Sequence, residues 1–279
     1  MVRSLSRYLA LLLCLSASVS QADSKILATS GLLQVEGSAG GGIVPWSVIA
    51  GYGSADEWGG ALAATQLRVD DFELDAYAVA LGIDNRWEFS AAQQRLSVKP
   101  LNLEIDQDIV GAKVRLFGDV IYNKWPQVSL GLQYKKNRDN AVPFALGADK
   151  DEGLDYYLSA TKLLVGGFWG HNLLLNANLR ATQANQAGLL GFGDNGDSSY
   201  DLVSELSAAV FINRHWALGA EYRQKPDRLS AVKEDDWKDV FIGYFPNKRL
   251  ALVVAYSDLG DIAGLKDQRG WYFSLQLSH

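Results

Sequence analysis

Twelve residues carry the chemistry this chain offers, and each alternates with apolar neighbours. They are Arg68, Lys113, Arg115, Gln133, Lys135, Asn176, Asn178, Arg180, Glu205, Glu221, Arg223 and Lys225. Guanidinium and ammonium groups recognise carboxylates and phosphates, and side-chain amides exchange hydrogen bonds with polar solutes. Lining a water-filled passage, this set would orient small polar solutes, and its basic excess would favour anions. The competing reading pairs opposite charges across a filled interior, where they lock a structure and conduct nothing.

Catalytic chemistry is harder to find. The three histidines, His171, His215 and His279, read as turn or chain-end residues, and no nucleophile and orienting group accompanies them. Gly191, Gly193 and Gly196 match a GxGxxG spacing. That spacing binds phosphates only between a parallel strand and a helix, which the surrounding sequence does not supply. Asp194, Asp197 and Asp201 lack the spacing of a calcium-binding loop. Glu234, Asp235 and Asp236, with Asp258, Asp261 and Asp267, make two predicted loops acidic. A divalent ion could bridge them to lipopolysaccharide, although hydrated loops are acidic by default. No enzyme, cofactor or metal centre is expected.

The elements that position the polar set have period two. Val128, Leu130, Leu132 and Tyr134 alternate with Ser129, Gly131, Gln133 and Lys135. Leu173, Leu175, Ala177 and Leu179 alternate with Asn176, Asn178 and Arg180, and Trp216, Leu218, Ala220 and Tyr222 with Glu221 and Arg223. Successive strand side chains point to opposite faces, so each stretch has one oily and one polar side. The segments run about ten residues, enough to cross a bilayer at a tilt, against about five or six for an ordinary globular strand. Trp87, Trp125, Trp216, Tyr244, Tyr256 and Trp271 sit near segment ends, where interfacial girdles would lie.

The fold class expected is therefore all-β: a single antiparallel transmembrane barrel with short periplasmic turns and longer extracellular loops. Fourteen strands are preferred, the first two at 26–36 and 43–53 and the last at 270–279. Twelve strands, with 23–42 as a periplasmic or plugging segment, is the alternative. Loops are expected at 138–153, 183–200, 226–237 and 259–269.

The first 22 residues read as a cleaved signal peptide. Arg3 and Arg7 precede the apolar run Leu9 to Leu15, and Ser20 and Ala22 stand at the small-residue positions before Asp23. Cleavage leaves 23–279 as the barrel. It removes two of the 26 basic residues and none of the 32 acidic ones, for a net charge of -8. It also removes Cys14, the only cysteine, and with it any disulfide, thiolate metal site or thiol nucleophile. Such acidity argues against a nucleic-acid partner. The partners expected are outer-membrane lipid and lipopolysaccharide, with the barrel-assembly machinery during biogenesis.

The last strand carries the most specific local motif. Arg269, Gly270, Trp271, Phe273 and Leu275 fit a polar-Gly-x-x-aromatic-x-apolar pattern resembling the signal read by the barrel-assembly machinery, and Leu277 continues its apolar face. His279 departs from the terminal Phe usual in such strands.

Six stretches together resemble a known family. They are 40–46 (Gly-Gly-Gly-Ile-Val-Pro-Trp), 107–119 (Gln-Asp-Ile-Val-Gly-Ala-Lys-Val-Arg-Leu-Phe-Gly-Asp), 133–139 (Gln-Tyr-Lys-Lys-Asn-Arg-Asp), 184–193 (Ala-Asn-Gln-Ala-Gly-Leu-Leu-Gly-Phe-Gly), 219–227 (Gly-Ala-Glu-Tyr-Arg-Gln-Lys-Pro-Asp) and 268–270 (Gln-Arg-Gly). In that order they resemble an uncharacterised proteobacterial outer-membrane family known as domain of unknown function 3034. The resemblance spans essentially the whole mature chain and implies no activity, substrate or catalytic residue. The functional expectation is a small pore for passive diffusion of polar or anionic solutes. A plugged structural or binding barrel with acidic outer loops is the alternative.

Overall fold

The computed structural model describes residues 25–229 and 231–279, so the signal-peptide expectation at 1–22 lies outside the described residues. Two short strands come first, β1 (Leu32–Leu33) and β2 (Ala39–Gly40). The wall follows as β3 (Trp58–Val69), β4 (Phe72–Ile83), β5 (Trp87–Val98), β6 (Leu103–Phe117), β7 (Gln127–Asn137) and β8 (Glu152–Phe168). It continues through β9 (His171–Thr182), β10 (Asp201–Phe211), β11 (Trp216–Arg223), β12 (Trp237–Asn247), β13 (Leu250–Asp258) and β14 (Arg269–Ser278). Each wall strand pairs antiparallel with its sequence neighbour, and β14 closes on β3 from Gly270↔Val69 to Ser278↔Ala61. Closure leaves no unpaired edge, which is the condition for strands to stand in lipid.

The barrel has twelve strands, not the preferred fourteen. Residues 26–36 and 43–53 are not wall strands; they run inside the lumen, joined by the β1–β2 pair. A wall strand must show every second residue to the outside, whereas every residue from 31 to 52 is buried. Apolar side chains such as Ile43, Val44, Val48 and Ile49 pack inward, an arrangement that hydrophobic patterning cannot distinguish from facing lipid. Positive φ at Gly31 (71°), Gly37 (94°) and Gly51 (74°) breaks the extended course.

Both ends of the wall lie at one rim, with the tight connections at 84–86, 169–170, 212–215 and 248–249. The opposite rim carries the long loops at 138–151, 183–200, 224–236 and 259–268. Two aromatic girdles mark the band between. Trp216 stacks on Tyr244 at 4.4 Å near the turn rim, and Tyr256 meets Trp271 at 5.3 Å towards the loop rim. Val79, Leu81, Leu130, Leu175, Leu206, Val254 and Phe273 are exposed outward between them.

Near the loop rim the polarity of the wall inverts along β3, β4 and β5. Leu67, Val69, Phe72, Leu74 and Leu96 point inward, while Gln66, Arg68, Glu73, Asp75 and Arg95 point out. Outward ion pairs form there, Arg68 Nε to Glu73 at 3.0 Å and Arg95 Nε to Asp106 at 2.8 Å. A charge facing the middle of the hydrocarbon costs about 2–4 kcal/mol, so this belt stands beyond the apolar core of the bilayer. Inside the belt the wall packs like a soluble protein. The inward apolar residues meet Leu189, Trp237, Leu259 and Ile262 around a cavity of only about 20 Å³.

Candidate functional site

The lumen is occupied by the buried stretch 30–53, and the side chains of the wall hold it. An irregular segment at membrane depth must have its backbone polar groups satisfied by protein. Glu88 accepts hydrogen bonds from the amides of Ala39 (3.0 Å) and Ala50 (2.8 Å) and from the hydroxyl of Ser38 (2.9 Å). Its register neighbour Lys113 lies 3.1 Å from it and donates to the carbonyls of Ala39 and Trp46, both at 3.0 Å. This pair of opposite charges thus serves donors and acceptors of the plug at once.

A second anchor is Glu221, which accepts from the amides of Gly42 (2.6 Å) and Ile43 (2.9 Å) and from Ser207 Oγ (2.8 Å). The approach requires glycine, because a Cβ on Gly41 would lie 1.9 Å from Glu221 Oε1. Asn176 and Asn178 both donate to the Pro45 carbonyl, at 3.2 and 2.5 Å. Thr161 accepts from the Ser47 amide at 2.8 Å, and Gln276 accepts from the Leu33 amide at 2.5 Å.

The densest charge cluster lies between this plug and the loop rim. Glu36 of the plug reaches Lys135 Nζ at 2.5 Å, Arg223 Nη2 at 2.8 Å and Arg180 Nη2 at 3.6 Å. The wall adds two acids. Asp155 lies 2.7 Å from Lys135 and 3.2 Å from Arg180, and Glu205 lies 2.6 Å from Arg180 and 3.4 Å from Arg223. All six side chains are at most 3% exposed. Three cations and three acids thus neutralise one another where water cannot. Gln133 accepts from Arg180 at 2.8 Å, and Asn178 donates to Glu205 at 2.9 Å.

Of the twelve residues expected to line a lumen, nine are buried there: Lys113, Gln133, Lys135, Asn176, Asn178, Arg180, Glu205, Glu221 and Arg223. Arg115 also faces inward, at the turn rim, and donates to the Gly118 carbonyl and to Asp119 at 3.3 Å. Lys225 lies just past β11, buried under the loops. Arg68 is on the outer face with its side chain 58% exposed, which corrects its assignment to the lumen. The inverted belt is the reason: there the polar side of the strand is the outside.

Glu36, Glu88 and Asp155 escaped the sequence reading. Glu88 was legible, because it alternates between outward Trp87 and Phe89. Asp155 had the same signal beside Tyr156. Glu36 had none, since it belongs to no wall strand.

On the last strand, Trp271, Phe273, Leu275 and Leu277 are exposed on the outer face as the motif requires. Gly270 has a local reason too, since a Cβ there would lie 1.8 Å from the Arg68 carbonyl oxygen.

Over the cluster sits the loop 183–193, almost wholly buried. Lys135 Nζ donates to the Ala187 carbonyl at 3.1 Å, and Asn137 Nδ2 to that of Leu189 at 2.7 Å. Beside it, Glu234 accepts from the Gln186 amide at 2.8 Å and lies 3.9 Å from Lys225. Burial pushes the Glu234 carboxyl up to about 7, against the pull of Lys225. Burial likewise brings Lys225 down to about 8, with Glu234 opposing and Arg223 adding to the shift. The raised carboxyl favours the closed loop below its ordinary titration range, and that contribution is lost as pH rises through about 7. The lowered amine favours closure only at alkaline pH, and its contribution is lost as pH falls through about 8. Closure is therefore weakest near neutrality. After correction for intrinsic exchange, the Gln186 amide should be roughly five-fold or more better protected at pH 5 than at pH 7.5. Equal protection would contradict this account.

Solved structures share the architecture. One described as "KdgM porin" superposes with a TM-score of 0.52 at 12% identity, over 78% of this chain and 99% of that one. A second, "KdgM porin in complex with disordered oligogalacturonate", gives 0.51 with the same identity and coverage. "NanC porin structure in rhombohedral crystal form" gives 0.48 at 12% identity, over 78% and 98%. At such identities the likeness to the first two shows the fold alone, that of an outer-membrane barrel. No curated protein matches this chain. The sequence pattern of a family described as "Protein of unknown function (DUF3034)" matches residues 29–276, and the chain, with its plug and its wall, belongs to that family.

Proposed function

We propose that this protein is an outer-membrane barrel of the porin type that is held shut from within, and that polar or anionic solutes pass only when residues 25–57 are displaced. The observation that carries the reading is the burial of every residue from 31 to 52 inside the wall, with wall side chains bound to its backbone. Simple diffusion past a charged lumen is the weaker reading, because the basic residues of the lumen face acids and not water. The barrel would be exported by the cleaved signal peptide 1–22 and assembled through its last strand. Its tight-turn rim would lie in the periplasm and its long loops outside, against lipopolysaccharide.

Planar-bilayer recording tests this directly. The mature protein should be silent or open only in brief bursts at low voltage. A variant lacking residues 25–53 should open more often and for longer than the intact protein, with a reversal potential in a salt gradient that favours anions. Steady conductance by the intact protein, unchanged on deletion, would overturn the plug reading.

A further inference from the structure

We infer that Lys135, Arg180 and Arg223 form a binding site for the carboxylate of a small solute, a site that Glu36 occupies in the closed state. The inference rests on the reading of residues 25–57 as a displaceable plug.

The geometry is that of carboxylate recognition. An ammonium and two guanidinium groups converge on one carboxyl, with Oε1 of Glu36 2.5 Å from Lys135 and 2.8 Å from Arg223, and Oε2 3.6 Å from Arg180. Short charge-assisted contacts from several directions are how proteins bind carboxylates tightly. The charge balance points the same way. To the ion-paired cluster the wall contributes these three cations and two acids, Asp155 and Glu205, so these five groups carry a net charge of +1. The missing negative charge comes from the plug and not from the wall.

An ion-pair cluster of this kind needs as many acids as cations, since an unpaired buried cation is expensive. This one is complete only with a carboxylate that arrives on a separate segment. When that segment withdraws, the cations stay where β7, β9 and β11 hold them, and a free carboxylate can restore neutrality. The site is also one step from the loop rim. The loop 183–193 lies over it on that side, and Lys135 donates to the Ala187 carbonyl of that loop at 3.1 Å. A solute that reached this depth from the loop rim would compete with Glu36 for these cations.

Removing the tethered carboxylate from the full mature chain tests the inference, with acetate as the probe. Glu36→Ala should lower the urea midpoint of the barrel refolded in vesicles. Acetate at 100 mM should restore at least half of the loss, as a ligand bound only by the folded state must, while chloride at matched ionic strength should not. Acetate should leave the wild type and a Glu36→Ala/Arg223→Gln double variant unmoved. Should Glu36→Ala fail to refold, Glu36→Gln keeps the shape without the charge, and acetate should raise its midpoint more than chloride does. Indistinguishable effects of acetate and chloride, or equal rescue of the double variant, would overturn the site. Failure of the plug reading would show separately, as steady conductance by the intact protein in the bilayer recording.

Discussion

Arg180→Met should lower the stability of the refolded barrel by about 3–5 kcal/mol, among the largest effects any single side chain in this protein can have. Arg180 donates from Nε to Glu205 at 2.6 Å and from Nη1 to Asp155 at 3.2 Å and Gln133 at 2.8 Å, and its guanidinium lies 5.2 Å from the Tyr157 ring centre. Methionine fills much of the same volume but removes the charge. Glu36, Asp155 and Glu205 would then share two cations in a place without water. The cost is that of a buried charge left without its partner, not of the contacts alone. Arg180→Lys should recover less than half of the loss, because one ammonium cannot span acids on three sides as a planar fork does. Urea unfolding in vesicles, followed by tryptophan fluorescence, measures both variants. A loss below about 1 kcal/mol for the methionine variant would mean that water or relaxation screens the cluster, contrary to its burial.

Gly41→Val is expected to unseat the plug while leaving the wall intact. Its Cβ would lie 1.9 Å from Oε1 and 2.5 Å from the carboxyl carbon of Glu221. That carboxylate cannot swing away freely, since the amides of Gly42 and Ile43 and the hydroxyl of Ser207 all donate to it. Either the carboxylate moves and two buried amides lose their acceptor, or the segment backs out. A buried donor left unsatisfied costs about 1–3 kcal/mol, so two of them shift the seated population by tenfold or more. A cysteine at Ser47, otherwise buried against Gln127 and Ser129, reports the change. Its labelling by a membrane-impermeant maleimide should be at least tenfold faster in the Gly41→Val background. Equal labelling rates would show that the plug can absorb the side chain without leaving its seat.

The two variants separate two roles that share one lumen. Arg180 belongs to the wall and cements it, whereas Gly41 belongs to the inserted segment and permits its fit. The Arg180 side chain donates to Glu205, Asp155 and Gln133, while a Cβ at position 41 would meet Glu221. The plug couples the two, because its Glu36 lies 3.6 Å from Arg180, so with the plug unseated Arg180→Met should cost less than it does alone and the effects should not add.

Most of the wall was legible in the sequence. The period-two alternation at 127–137, 172–182 and 216–223 placed Gln133, Lys135, Asn176, Asn178, Arg180, Glu221 and Arg223 on one face, and the closed barrel puts that face inside. Alternation is local information, because each strand records in its own residues which side meets lipid and which does not. The long loops and tight turns of the C-terminal half were legible for the same reason, as interruptions of the pattern. What the alternation could not reveal was a segment that never meets lipid. Residues 26–36 and 43–53 have enough apolar content to pass for strands, and only the unbroken burial from 31 to 52 separates them from the wall. The polarity inversion around Arg68 is the same lesson in reverse, since a strand continues past the membrane without a break in its period while the meaning of its two faces is exchanged.

The sequence by itself therefore determined the class of this protein, an antiparallel barrel with a polar lumen, because the solvent on each side of a strand is written into alternate residues. The tertiary structure alone decided that the lumen is filled and its charges are paired. Glu36 meets Lys135 and Arg223 across 99 and 187 residues of chain. Attraction between charges so far apart in sequence depends on where the closed wall brings them together, and no local pattern carries that information.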